Sequence, residues 1–132
     1  MDLQQIDEKY QPYIANIKKL IEEPIPKVLN PKLMLVVNHR LKYLTILLDK
    51  SAVIGDLASM VGLLVLEVQS IIRLHRRTSV GTMVVDRKLK QLTDQNNFMK
   101  EYVKLLKEKR DVINDLIAGL RTIGTNQNNY GL

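Results

Sequence analysis

The chain contains no cysteine and no tryptophan. Without thiols it can build neither a disulfide framework nor a thiolate metal site, and a reducing, cytoplasmic setting is expected. Aromatic residues are also scarce, with one Phe and five Tyr among 132 residues. Hydrophobic residues nevertheless make up 45%. A core is therefore available, but Leu, Ile, Val and Met must fill it, and the length fits one domain.

Catalytic signatures are absent as well. The two histidines, His39 and His75, have no metal-ligand spacing between them. There is no Gly-rich phosphate loop and no nucleophile elbow. Asp111 and Asp115 lie one helical turn apart, on an outward face beside Lys107, and read as surface charge. The chain is expected to be a non-enzyme with no metal and no cofactor.

The start, MDLQQIDEKYQPYI, is polar and mildly acidic and lacks the pattern of a signal peptide. The longest uncharged apolar stretch, Leu57 to Leu66, has ten residues. That is about half of the roughly 20 that a bilayer span needs, so no membrane partner is expected.

What the chain does have is unevenly placed positive charge. The net charge is +6. Residues 1–30 hold four bases and five acids, whereas residues 71–110 hold eleven bases and four acids. A local excess of this kind is what a polyanion would use.

Hydrophobic periodicity predicts an all-α chain. Ile6, Tyr10, Tyr13, Ile14, Ile17, Leu20 and Ile21 predict an amphipathic helix over 4–21, with Pro12 in its first turn or at a break, and Pro24 and Pro26 closing it. Asn30-Pro31 reads as an N-cap followed by proline at the first position of a helix reaching about Leu48. Residues 51–77 are helical in character, either as one helix or as two broken near Gly62. Thr78 to Thr82 reads as a loop and Met83–Val85 as at most a short strand.

Asp86 then caps a last helix, which Gly124 closes with Arg121 near its end. This gives one helical domain over 1–124 and a polar tail over 125–132. Leu89, Leu92, Asn96, Met99, Val103, Leu106, Arg110, Ile113, Ile117 and Leu120 follow each other at steps of three and four, a heptad seam expected to mediate homo-oligomerisation. A second row, Phe98, Tyr102, Leu105, Val112, Leu116 and Ile123, widens the apolar face beyond a coiled-coil stripe and predicts packing against two or more helices. The part from Arg87 to Asn97 has only the thin seam and is expected to project. Asn96 and Arg110 are polar seam positions that either set register or mark where the helix leaves the core.

Two features bear on function. Ala58, Gly62, Val68 and Ile71 fall at helix-turn-helix offsets, but the recognition helix would then begin Leu63-Leu64-Val65-Leu66, which offers nothing to a base edge. That run is expected to be core or interface instead. The basic cluster carries more. Arg73, Arg76 and Arg77 close one helix, and Arg87, Lys88 and Lys90 open the next, with Asp86 as the acid among them. These six bases are the candidate nucleic-acid-binding residues, because guanidinium and ammonium groups bind phosphate directly. Phe98 and Tyr102, one turn apart, are expected to pack into the core rather than stack on bases.

The layout of a central helix ending in bases, a short loop and a long closing helix resembles the tailed-phage recombination mediator (UvsY-like) family. The closest stretch is EYVKLLKEKRDVINDLIAGLRTIG, residues 101–124. LASMVG and IIRLHRR, within residues 57–77, are similar to the hairpin helix of phage small terminase subunits. Both resemblances imply a non-enzymatic, homo-oligomeric, DNA-handling protein. The first implies single-stranded DNA in recombination or replication, and the second a DNA-packaging subunit, with other replication or packaging proteins as further partners. The competing reading is a helical protein-interaction module, an adaptor or inhibitor with no nucleic-acid role.

Overall fold

A computed structural model describes residues 3–28, 30–78 and 83–129; within these, the side chains of 3, 4, 77, 78, 83–86 and 127–129 lie outside the description. The chain is all-α, as its periodicity predicts, with no strand among the described residues. Helix α1 spans Leu3–Glu22, α2 Val37–Thr78 and α3 Met83–Asn129, with a 3₁₀ turn at Pro31–Leu35 before α2.

Helix α1 buries Ile6, Tyr10 and Ile17, spaced at helical intervals. Pro12 lies inside the helix rather than ending it. Its missing N–H would have bonded the carbonyl of Glu8, an exposed residue, so water can take the place of the lost donor. The helix stops where Pro24 and Pro26 prevent continuation. Its last carbonyls are satisfied from another element: the Lys109 ammonium donates to the carbonyls of Leu20, Ile21 and Glu23. Lys50 pairs with the Glu23 carboxylate at 2.9 Å and fastens the same corner to α2.

Asn30 does cap, but what it caps is the 3₁₀ turn. Its side chain accepts from the Lys32 backbone N–H at 3.1 Å, and Pro31 follows at the first helical position. The α-helix proper begins only at Val37. From there α2 runs unbroken for 42 residues. It passes through Gly62 without a turn, and no helix-turn-helix exists there.

Helices α2 and α3 form an antiparallel hairpin with a consistent register. Asn96 donates to the Val65 carbonyl, Val103 faces Gly62, Arg110 lies over Gly55, and Ser51 donates to Asn114. Helix α1 lies parallel to α3, with Gln95 bonded to Asp7 near one end and Lys109 at the other. Leu47, Ile54, Val61 and Val68 of α2 fill the centre of the three-helix core.

The heptad seam is used here. Leu89, Leu92, Asn96, Met99, Val103, Leu106, Ile113, Ile117 and Leu120 are buried within the single chain. The row expected to join subunits is spent on the chain's own core, because α1 and α2 supply the facing surfaces. The part from Arg87 to Asn97 does not project, since Leu89, Leu92 and Asn96 are buried in it. Arg110 is the exposed member. Its Nε donates to Ser51 at 3.4 Å, and its guanidinium occupies the space beside Gly55, where an added Cβ would come within 2.7 Å of it. The second row is only partly covered: Tyr102, Leu105 and Ile123 are half-buried, while Phe98, Val112 and Leu116 are exposed.

The ends of α3 also differ from expectation. Met83–Val85 is helical, so Asp86 lies inside α3 rather than capping it. Gly124 does not close the helix, which continues to Asn129 and takes in most of the expected tail. Thr122 and Thr125 donate back to the carbonyls of Ala118 and Arg121, satisfying their hydroxyls within a continuing helix. Arg121 therefore sits two turns before the end.

Candidate nucleic-acid interface

The hairpin places the two basic groups at one end of the bundle. Arg73 and Arg76 are exposed near the end of α2, and Arg87, Lys88 and Lys90 are exposed near the start of α3. The Arg77 side chain and the connection over 79–82 lie outside the described residues. One contact ties the two groups. The Arg76 guanidinium donates from Nη2 to the Thr93 hydroxyl at 3.2 Å, and Thr93 donates to the Leu89 carbonyl at 2.7 Å. Lys90 lies one turn before Thr93, so Arg76 and Lys90 share that face. The contact engages one of the five guanidinium N–H groups.

Further cations extend from this tip. A groove of about 520 Å³ between α2 and α3 is lined by Gly62, Leu63 and Leu66 on one side and by Lys100, Val103 and Lys107 on the other. Both lysines are exposed. Their shared face follows from their spacing of seven residues, which returns to nearly the same side of a helix. Of the run expected to be core or interface, Leu64 and Val65 are in the core, whereas Leu63 and Leu66 are exposed. A continuous helix turns successive residues in different directions, so one run cannot be wholly core.

Phe98 is a correction. It is 69% exposed, not packed in the core. With Ile14, Lys18, Met99 and Tyr102 it lines a shallow groove between α1 and α3. Arg87 lies three turns earlier on nearly the same side of α3.

The buried polar groups serve packing. Tyr10 donates to Asn96, which in turn donates to the Val65 carbonyl at 3.4 Å. Burial pushes the Tyr10 phenol well above its ordinary value, and the nearby Glu67 carboxylate adds to this. Desolvation likewise lowers the pKa of the Lys109 ammonium. Among the described residues, no group of three or more His, Asp or Glu side chains is placed to hold a metal ion.

Among the described residues the architecture is thus an all-α bundle of three helices with a cationic tip. No family model matches it, and no curated protein or solved structure is significantly similar to it.

Proposed function

We propose that the chain is a non-enzymatic nucleic-acid-binding accessory protein that engages phosphate backbones through Arg73, Arg76, Arg77, Arg87, Lys88 and Lys90. The observation that carries this reading is that two basic groups, on the last turns of α2 and the first turns of α3, lie side by side at one end of the hairpin, with Arg76 bonded to Thr93 of α3. Lys100 and Lys107 support a strand path leading away from the tip along α3. Exposed Phe98 supports single-stranded nucleic acid, because unpaired bases offer a face on which an aromatic ring can stack. In this reading the chain acts on single-stranded DNA in a recombination or replication setting, as the resemblance implies, and self-association multiplies the contacts.

The test is fluorescence anisotropy with a labelled oligonucleotide across a salt series. Affinity should fall steeply as salt rises, in proportion to the phosphates neutralised. Arg73→Glu combined with Arg76→Glu should weaken binding and flatten the salt slope by about one unit per lost contact, with helix content unchanged. A flat salt response, or full affinity in the double variant, overturns the reading.

A second reading rests on the outward face of α2. Val53, Met60, Leu63, Leu66 and Leu74 are all exposed. That face favours a protein-interaction module, or a subunit interface on α2 in place of the α3 seam. Light scattering on the full chain distinguishes a monomer from an assembly.

A further inference from the structure

The end of the bundle opposite the basic tip combines two properties seldom found together on a solvated surface. Residues 24–48 contain no Asp or Glu at all, while holding Lys27, Lys32, His39, Arg40 and Lys42. Within the same stretch, Leu33, Leu35, Val36, Val37 and Leu41 are exposed, Val37 and Leu41 each by 51%. Val37 and Leu41 are one turn apart on α2, and the 3₁₀ turn Pro31–Leu35 that carries Leu33 and Leu35 leads almost directly into that helix. The turn buries none of its own residues. Lys27, Lys32 and Lys42 are exposed at this corner, whereas Arg40 is buried and donates to the Met34 carbonyl at 3.2 Å. Arg40 therefore braces the corner from inside.

The surface beside it is also apolar. A cleft of about 850 Å³ is lined by Ile25, Val28, Leu116, Leu120 and Ile123, with Lys27 and Asp115 as its charged members. Tyr43, also in its wall, donates its hydroxyl to the Pro26 carbonyl at 2.5 Å. Asp115 is thus the acid that faces Lys27 from α3, and the exposed lysines outnumber it.

We propose that this corner docks on an anionic lipid bilayer surface. Leu33, Val36, Val37 and Leu41 enter the headgroup boundary while Lys27, Lys32 and Lys42 meet lipid phosphates and carboxylates. The charge pattern selects this occupant: an acid-free basic stretch complements a negative surface, and exposed aliphatic groups add the burial that phosphate contacts alone do not supply. A nucleic acid would satisfy the lysines but leave the aliphatic side chains in water. The proposal is independent of the nucleic-acid reading, which rests on the other end of the molecule.

The experiment is co-sedimentation of the full chain with phosphatidylcholine vesicles, with and without phosphatidylserine. Wild type should pellet with the phosphatidylserine vesicles and remain in solution with phosphatidylcholine alone. Val37→Gln with Leu41→Gln should lower the partition coefficient by about tenfold or more, since two exposed aliphatic contacts are lost. Lys32→Glu with Lys42→Glu should do the same through charge, and these residues are solvent-exposed, so the fold is kept. Arg73→Glu with Arg76→Glu, at the other end of the molecule, should lower vesicle binding less than either corner variant does. Vesicle binding that survives both corner variants, or that is lost only with the tip variant, overturns the proposal. So does a wild type that ignores vesicles of both compositions, and a drop in solution mass on Val37→Gln with Leu41→Gln in that case assigns the corner to a second copy of the chain.

Discussion

The Tyr10 phenol donates a hydrogen bond to the Asn96 side chain inside the core, across 86 residues of sequence. Asn96 is only 3% exposed and passes a second bond to the Val65 carbonyl. One amide therefore joins all three helices at a single level. A polar group so placed fixes alignment, because sliding any helix by one turn would leave a buried donor or acceptor without a partner.

Removing one member of that relay should expose its value. Asn96→Ala leaves the Tyr10 hydroxyl buried without its acceptor and should cost about 1–3 kcal/mol in urea denaturation. Tyr10→Phe should cost less. Tyr10→Phe with Asn96→Leu should recover part of the loss, since the polar pair is then replaced by apolar groups of similar size.

The same tyrosine predicts a pH response. Burial raises the Tyr10 pKa, and that of Tyr43 in the same direction. In the unfolded chain both phenols ionise near pH 10, before they do so in the folded one. The unfolded state then holds fewer protons, so stability is fully present below about pH 10 and falls as pH rises above it. Thermal melts from neutral to alkaline pH should show this loss. Tyr10→Phe should reduce its steepness.

Gly62 offers a direct check on the continuous helix. An added Cβ would meet only Val103 Cγ1, at 4.0 Å, an ordinary contact. Gly62→Ala should therefore stabilise the chain by about 0.5–1 kcal/mol, the usual gain within a helix. A helix-turn-helix would require a left-handed glycine there, and alanine would then destabilise. Gly55→Ala should gain less, because its Cβ displaces the Arg110 guanidinium from its seat against Ser51.

Lys109 tests how α1 is held. Its ammonium closes the carbonyl end of that helix by donating to Leu20, Ile21 and Glu23. Lys109→Met keeps the stem and removes the donors, and should cost about 1–3 kcal/mol. Hydrogen exchange should quicken first in α1, leaving the α2–α3 hairpin protected.

Phe98 separates strand preferences at the basic tip. Phe98→Ala should weaken binding to a single-stranded oligonucleotide by about 1–3 kcal/mol and leave duplex binding nearly unchanged. Equal losses for both would place Phe98 outside the stacking role.

Much of this fold is legible in residue spacing. The seam from Leu89 to Leu120 reads directly as a buried row, and the Ile6, Tyr10, Ile17 spacing as a helix face. What spacing cannot specify is the owner of the opposite surface, so the seam reads equally well as a subunit contact and as an internal one. Phe98 shows a related limit. It lies on an apolar row, yet α1 covers that row only in part, and which members stay exposed depends on where α1 comes to rest. Gly124 reads locally as a helix end, and Gly62 and Pro12 each leave a break open as one alternative, but long helices held by tertiary packing absorb all three. The site is legible as composition, since Arg73, Arg76, Arg87, Lys88 and Lys90 stand out as a cluster. The Arg76–Thr93 contact is not, because no local pattern marks Thr93.

Helix α2 is also the segment that complicates a reading based on uncharged length. Within Val37–Arg76 it has an 18-residue window of mean hydropathy 1.8 with no more than two charged residues, long and apolar enough by that measure to cross a membrane. Asp56 and Glu67 interrupt the uncharged run without lowering the average enough to matter. In the folded chain Ile54, Val61 and Val68 point into the bundle, and the average says nothing about that sidedness.

An unbroken α2 also sets a distance. Val37 and Arg76 lie on one helix, and at 1.5 Å per residue they stand about 60 Å apart. With α3 laid against it, that helix is a stiff spacer between the two ends of the molecule. Whatever the basic tip holds and whatever the Leu33–Leu41 corner touches are kept at a fixed standoff. Bringing them closer would require melting the core itself.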